Sequence, residues 1–247
     1  MNYLKRFFAC LFIFVPLLFT FITVGAQVKV QRHQLVDISV AAGTNTSFSG
    51  SYVYNWMVGK KQYWALGIGA RVTTAFGNNI DFTTADAKLA RTSVIPFLIV
   101  FAGQKIVNWD TLVVKNAATT SINFTANIGY NFNKKWGAGF NIDLLGFTFG
   151  NKSKAVLTTN GVATIESVAK PQSFNVLLTG DLDYGSLNSE FFVKYAINNT
   201  WTIRGVYQFL FTEYKTTTIK QTAPDGTLVD RFRSKANNIG VGVSYNF

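Results

Sequence analysis

Residue types that carry nucleophilic or acid–base chemistry are scarce in this chain. It has one histidine, His33, with Asp37 and Ser39 shortly after it. A Ser–His–acid site needs all three groups within hydrogen-bond reach. On an alternating strand His33 stands at the rim while Ser39 lies two residues deeper than Asp37, so no catalytic residue is assigned and no enzyme is expected. A single histidine leaves no transition-metal cluster. The one cysteine, Cys10, falls in the leader discussed below. No metal and no cofactor are expected.

The charged residues inside the alternating runs fall into a pattern. Asp37, Arg71, Asp143, Glu190, Lys194 and Arg204 all occupy the polar parity of their runs, three acids against three bases. Counted from one set of turns, Asp37, Lys194 and Arg204 lie low, and Arg71, Asp143 and Glu190 lie higher at similar depth. This predicts two stacked ion-pair clusters inside a closed sheet. A charge in such a place must be paired or hydrated, since removing one partner of a buried pair typically costs about 3–5 kcal/mol. Two readings stay open: a plug that fills the interior, or a narrow conduit lined by the same groups.

The elements that would hold these residues follow from composition. Charged residues are 14% and aromatics 15% of the chain, where soluble globular proteins carry about 25% charge. Lys5 and Arg6, the apolar run over residues 7–24 and the small-residue site Val24-Gly25-Ala26 read as a cleaved secretory signal over residues 1–26. A membrane anchor helix is the competing reading of that run. Cys10 lies too early in it for lipid attachment, and the processed chain would have no cysteine. Losing Lys5 and Arg6 lowers the net charge from +11 to +9. No later run reaches spanning length; the longest, residues 94–102, is broken by Pro96. An apolar, aromatic-rich chain without spanning helices can live in a bilayer only as a closed barrel, which leaves no backbone group unpaired. A soluble β-sandwich would also alternate, but its polar face would carry charge. Here that face is mostly Gly, Ser, Thr and Asn.

Three short polar turns are each followed by tryptophan: GKKQYW at 59–64, NKKW at 133–136 and NNTW at 198–201. Small barrels have short turns at one end, long loops at the other and aromatic girdles at the interfaces. The turns predict strands starting near Leu35, Tyr63, Trp136 and Trp201, and strands ending near Val58, Phe132, Ile197 and Phe247. Residues 27–247 thus form one all-β domain, an antiparallel up-and-down transmembrane β-barrel of eight strands, or ten if an outer hairpin joins the wall. Trp64, Trp136, Trp201 and Tyr245 make the girdle. No charge falls centrally on any outward face, where Arg or Lys would cost about 2–4 kcal/mol.

The final run NNIGVGVSYNF, ending Tyr245-Asn246-Phe247, resembles the C-terminal signal of outer-membrane β-barrel proteins. In architecture the chain is similar to the small barrels of the OmpA, OmpX and OmpW type, and to the broader outer-membrane β-barrel-domain group that includes the PorT proteins. The resemblance implies the outer membrane of a Gram-negative envelope, with Tyr245 and Phe247 read by the barrel-assembly machinery. Outer-membrane lipids and lipopolysaccharide would surround the barrel. The OmpW side of the likeness implies a small hydrophobic ligand and porin-like passage. The leading function is non-catalytic: structural, surface interaction or envelope assembly.

One strand departs from the pattern. Beyond Asp143 the inward parity reads Leu145, Phe147 and Phe149. Either a bulge near Gly146 flips the register, or the outer mouth is apolar inside. Two outer segments, residues 77–118 and 150–185, are long and partly apolar; they extend the wall as hairpins, pack over the mouth, or present a partner surface. Many basic residues, among them Lys60, Lys61, Lys134, Lys135, Arg231, Arg233 and Lys235, are assigned to turns and loops. No nucleic-acid motif accompanies them.

Overall fold

The computed structural model describes residues 32–95, 101–159, 161–223 and 226–247. The leader at 1–26, most of the apolar 94–101 segment and Pro224-Asp225 of the last turn lie outside the described residues. In chain order the strands are β1 (Arg32–Gly43), β2 (Thr46–Val58), β3 (Trp64–Thr84), β4 (Thr111–Asn131), β5 (Trp136–Gly150), β6 (Ser153–Thr159), β7 (Val162–Pro171) and β8 (Phe174–Val176). They continue with β9 (Leu187–Ala196), β10 (Trp201–Lys215), β11 (Gln221–Thr222), β12 (Leu228–Val229) and β13 (Arg231–Asn246). A short helix, α1 (Ala87–Ala90), follows β3.

The tight turns are made by their own side chains. Asn133 Oδ1 accepts the N–H groups of Lys135 and Trp136 at 2.8 and 2.9 Å. Asn198 Oδ1 does the same for Thr200 and Trp201 at 2.9 and 2.7 Å. An asparagine that bonds its own following backbone replaces a backbone turn, and it starts the next strand on the tryptophan. In the third turn Gly59 and Gln62 take positive φ, 86° and 52°.

Among the described residues eight strands close a ring, each antiparallel to the next, in the order β1–β2–β3–β4–β5–β9–β10–β13. The seam joins Leu35 to Asn246 and runs up to Gly43 opposite Asn238. Phe247 donates its N–H to Gln34 O at 3.0 Å. The lower wall presents Ile38, Ile68, Phe124, Phe191, Ile203 and Val241 outward, all strongly exposed. Their inward neighbours are mostly polar residues or glycine, with Phe192 an apolar exception. Apolar outside and polar inside is the inverse of a water-soluble barrel and the pattern of a transmembrane one.

Cross-strand ring pairs mark the level of the turns. Trp64 packs on Tyr130, Trp136 on Tyr195 and Trp201 on Tyr245, with centroids 4.8, 4.9 and 5.0 Å apart. Phe247 adds a ring 5.0 Å from Tyr245. Trp64, Trp136 and Trp201 are each about half exposed, and Tyr245 somewhat less, as an interfacial ring should be.

Higher up the ring changes membership. β1 and β2 end in a short hairpin, and above it β13 pairs directly with β3, Phe232 opposite Thr84. β5 and β9 also leave. Their place is taken by the β6–β7 hairpin, which joins β4 on one side and β10 on the other. A six-stranded ring, β3–β4–β6–β7–β10–β13, therefore stands on the eight-stranded one. Its interior is an apolar core that includes Phe82, Leu112, Val114, Leu157, Tyr214 and Phe232, all essentially inaccessible to solvent. Asn79, at φ 51°, breaks the pleat of β3 below this core. Opposite it Lys115 and Asn116 are both exposed, and beyond them the apolar side chains of both strands turn inward.

One expectation changes, and two alternatives left open are resolved. The wall has eight strands where it crosses the bilayer; the outer hairpin does not make it ten but builds the narrower upper ring. Arg231, Arg233 and Lys235 belong to β13, not to a loop. The apolar mouth does not exist: Leu145, Phe147 and Phe149 are 42%, 56% and 61% exposed and face outward. The register shifts between Thr125↔Asp143 and Phe124↔Leu145, leaving Leu144 unpaired. That bulge swaps the parity, so Gly146 and Thr148 point inward.

Candidate functional site

The interior of the lower ring holds one connected chain of charges. Arg71 on β3 donates from Nε and Nη2 to Asp143 Oδ1 on β5, at 2.9 and 2.6 Å. Asp143 Oδ2 accepts from Asn123 Nδ2 at 2.7 Å and from the Asn188 N–H at 2.9 Å. On β9, Glu190 Oε2 lies 3.1 Å from Arg71 Nη1 and 3.9 Å from Arg204 Nη2 of β10. Arg204 Nη1 is 3.3 Å from Asp37 Oδ2 on β1, and Ser244 of β13 donates to the other oxygen of Asp37. The sequence Asp143–Arg71–Glu190–Arg204–Asp37 thus ties five of the eight wall strands together from within.

Glu190 joins the two layers that sequence spacing kept separate. Lys194 is the member not brought in: among the described residues it has no carboxylate within ion-pair distance. Its stem instead lies over Gly137, where a Cβ would meet Lys194 Cε at 2.8 Å. Arg204 also lies 4.8 Å over the inward ring of Phe192. His33 and Ser39 share β1 six residues apart, roughly 20 Å at about 3.3 Å per residue, and Asp37 is held by Arg204 and Ser244.

Above the charges an uncharged polar layer fills the lumen. Gln208 Oε1 accepts from Ser47 at 2.6 Å and Asn238 at 2.8 Å. Asn188 Nδ2 reaches Thr73 Oγ1 at 3.2 Å. Asn175 Nδ2 donates to Asn123 Oδ1 at 2.7 Å, and Thr148 donates to Asn175 Oδ1 at 2.8 Å. Asn123, Asn175, Asn188, Gln208 and Asn238 are essentially solvent-inaccessible. The apolar core of the upper ring closes the stack.

A second ion cluster, on the outer surface of β10 and β13, was not legible from spacing. Glu213 receives Arg233 Nη2 at 2.7 Å and Arg231 Nη2 at 2.9 Å. Asp181 pairs with Arg91, with Lys235 at 2.8 Å and with Arg233 at 3.6 Å. The cluster straps residues 178–186 and the segment beyond α1 against the wall, and Gly185 N donates to Glu213 Oε2 at 2.9 Å. Burial would raise the pKa of Asp181, but hydrogen bonds from Lys235 and Arg91 outweigh it and hold the carboxyl below its ordinary value. Asp183 goes the other way: burial raises it, beyond what the Leu178 N–H and Arg233 offset. The only available signal was Arg231, Arg233 and Lys235 at a period of two.

No protein-family model matches the chain, and no curated protein matches it in sequence. Solved structures do align along most of it. The Neisserial surface protein A is 10% identical, with 87% of this chain and 96% of that one covered, at a TM-score of 0.33. The Yersinia pestis outer membrane protein Ail, in phospholipid nanodiscs, is 8% identical, with 88% and 100% covered, at 0.37. A monoaromatic hydrocarbon channel, CymD, is 10% identical, with 89% of each chain covered, at 0.21. These are similarities of low score and add nothing to the strand pairings. The pairings decide the matter. The chain is an eight-stranded transmembrane β-barrel carrying a six-stranded barrel on top.

Proposed function

We propose that this protein is a sealed, non-catalytic barrel of the outer membrane of a Gram-negative envelope, which anchors a rigid upper barrel and its loops at the cell surface. The observation that carries this reading is the continuous filling of the interior. An ion-paired layer, an amide and hydroxyl layer and an apolar core follow one another along the axis, each made of buried side chains. An eight-stranded barrel is wide enough only for its own side chains or one small ligand, and here the side chains take the space. Passage of a small hydrophobic solute loses its main support, because Leu145, Phe147 and Phe149 face the bilayer.

On this reading residues 1–26 are the export signal, and Tyr245 and Phe247 are the strand end offered to the barrel-assembly machinery. Surrounding lipids and lipopolysaccharide are partners of the outward face, and the role is structural or one of surface interaction. The test is membrane fractionation of cells producing the full chain, followed by protease treatment of intact cells. Heat-modifiable protein in the outer-membrane fraction, with any cleavage at the exposed β6–β7 tip, supports the proposal. Recovery in a soluble fraction overturns it.

A further inference from the structure

The outward face of the wall is not evenly filled near the tight turns. A groove of about 570 Å³ lies across β3, β4, β5 and β9, bounded by Ile128, Tyr130, Phe132, Phe140 and Phe191 with Ala138 at its floor. It exists because Ala138, paired with Tyr130 on one side and Val193 on the other, offers a methyl group where its neighbours offer rings and branched chains. The groove opens into the hydrocarbon and is continuous with the lipid-facing belt.

Its foot is basic. Lys134 and Lys135 form the β4–β5 turn directly below Phe132 and Ala138, and Lys60 and Lys61 stand in the neighbouring β2–β3 turn. All four are exposed, and neither residues 59–63 nor residues 132–135 include an acid. Lys135 Nζ lies 5.9 Å over the Tyr195 ring, at the level of the girdle. On the other flank of the β4–β5 turn, the β9–β10 turn at residues 197–200 has no charged side chain. Among the three tight turns the basic side chains thus belong to the β2–β3 and β4–β5 turns, which flank the β3–β4 part of the groove.

We propose that groove and rim together form a site for one anionic phospholipid of the turn-side leaflet, such as phosphatidylglycerol. One acyl chain lies over Ala138 between the rings of Tyr130, Phe132 and Phe140. The phosphate is held by Lys134 and Lys135, with Lys60 and Lys61 adding to the local positive potential. Apolar depth alone would accept any lipid, and lysines alone would attract any anion. Their superposition at one interface selects a lipid with a net negative headgroup. A lysine near an anionic headgroup is worth a factor of about five in affinity.

The proposal rests on the transmembrane placement of the barrel, and the experiment separates the two. Full-length protein is reconstituted into bilayers, and spin-labelled phosphatidylglycerol and phosphatidylcholine are compared for the fraction immobilised at the protein. Wild type should favour phosphatidylglycerol roughly fivefold or more. Lys134→Gln with Lys135→Gln should bring the ratio close to one, and Ala138→Phe should reduce immobilisation of both lipids. Equal immobilisation of the two lipids by wild type, or a ratio unmoved by both variants, overturns the proposal. Heat-modifiable migration of the same samples reports insertion. A barrel that inserts without preference refutes only the lipid site, whereas one that fails to insert refutes the transmembrane reading itself.

Discussion

Arg71 and Asp143 stand 72 positions apart in sequence and meet inside the barrel through two N–H donors on a single carboxylate oxygen, at 2.9 and 2.6 Å. Both are sealed from solvent. The pair binds β3 to β5 across the intervening β4, so it reports the inward curvature of the wall rather than local pairing. Arg71→Ala leaves Asp143 and Glu190 charged and without their main partner. Stability should fall by about 3–5 kcal/mol, read as a shift in the denaturant midpoint of heat-modifiable migration. Replacing the three partners together, Arg71→Met with Asp143→Leu and Glu190→Gln, should recover most of that loss. If the single variant is as stable as wild type, the lumen is hydrated enough to solvate a lone charge.

The upper ring depends on its own core. Phe82 packs edge-on against Tyr214 with centroids 5.1 Å apart, and both are buried. Phe82→Ala should cost about 3–5 kcal/mol locally. Because the lower ring is held by separate contacts, the loss should appear as proteolysis within β6 and β7 while gel migration stays that of a folded barrel. Simultaneous loss of both signals would mean that the two rings fold as one unit.

Position 147 tests the bulge at Leu144. With Phe147 outward, Phe147→Trp places an indole in lipid, and brominated acyl chains should quench it. A tryptophan at 147 shielded from brominated lipid would restore the apolar mouth and return solute passage to consideration.

The outer strap has a pH dependence whose sign differs between its two aspartates. Asp181 has a folded pKa below its ordinary value, so its contribution is full at neutral pH, persists above about pH 4 and is lost as pH falls through the depressed value. Asp183 has a raised folded pKa, so the folded state binds the extra proton and the strap is weakened as pH rises through that window. Hydrogen exchange of residues 178–186 should therefore show protection that holds or increases from pH 7 to pH 5 and falls only in stronger acid. Asp183→Asn keeps an acceptor for the Leu178 N–H and should be neutral or stabilising at pH 7, whereas Asp181→Asn should loosen the segment. Loss of protection already between pH 7 and pH 5 would contradict this assignment.

The lower ring was legible because period-two alternation and the tight turns are local. An Asn that caps its own turn and a tryptophan that begins the next strand can be read within four residues, as at Asn133 and Trp136. The six lumen charges were legible by parity alone, but parity does not tell which charges touch: Glu190 unites two layers and Lys194 stays apart. The upper ring was hidden because strands change partners there. Nothing local to Phe232 or Thr84 announces that β13 abandons β1 for β3. The Leu144 bulge was readable only as an alternative, since two consecutive leucines fit either parity. Arg231, Arg233 and Lys235 looked like loop charge because their acids, Asp181 and Glu213, lie on different segments.

The claim that the lumen is filled is tested most directly by single-channel recording of the folded full-length protein in a planar bilayer. The account predicts a silent membrane at moderate voltage and salt, with heat-modifiable migration showing that the barrel is folded. Steady, reproducible conductance steps from the same protein would mean an open path past Arg71, Asp143 and Glu190, and would contradict it.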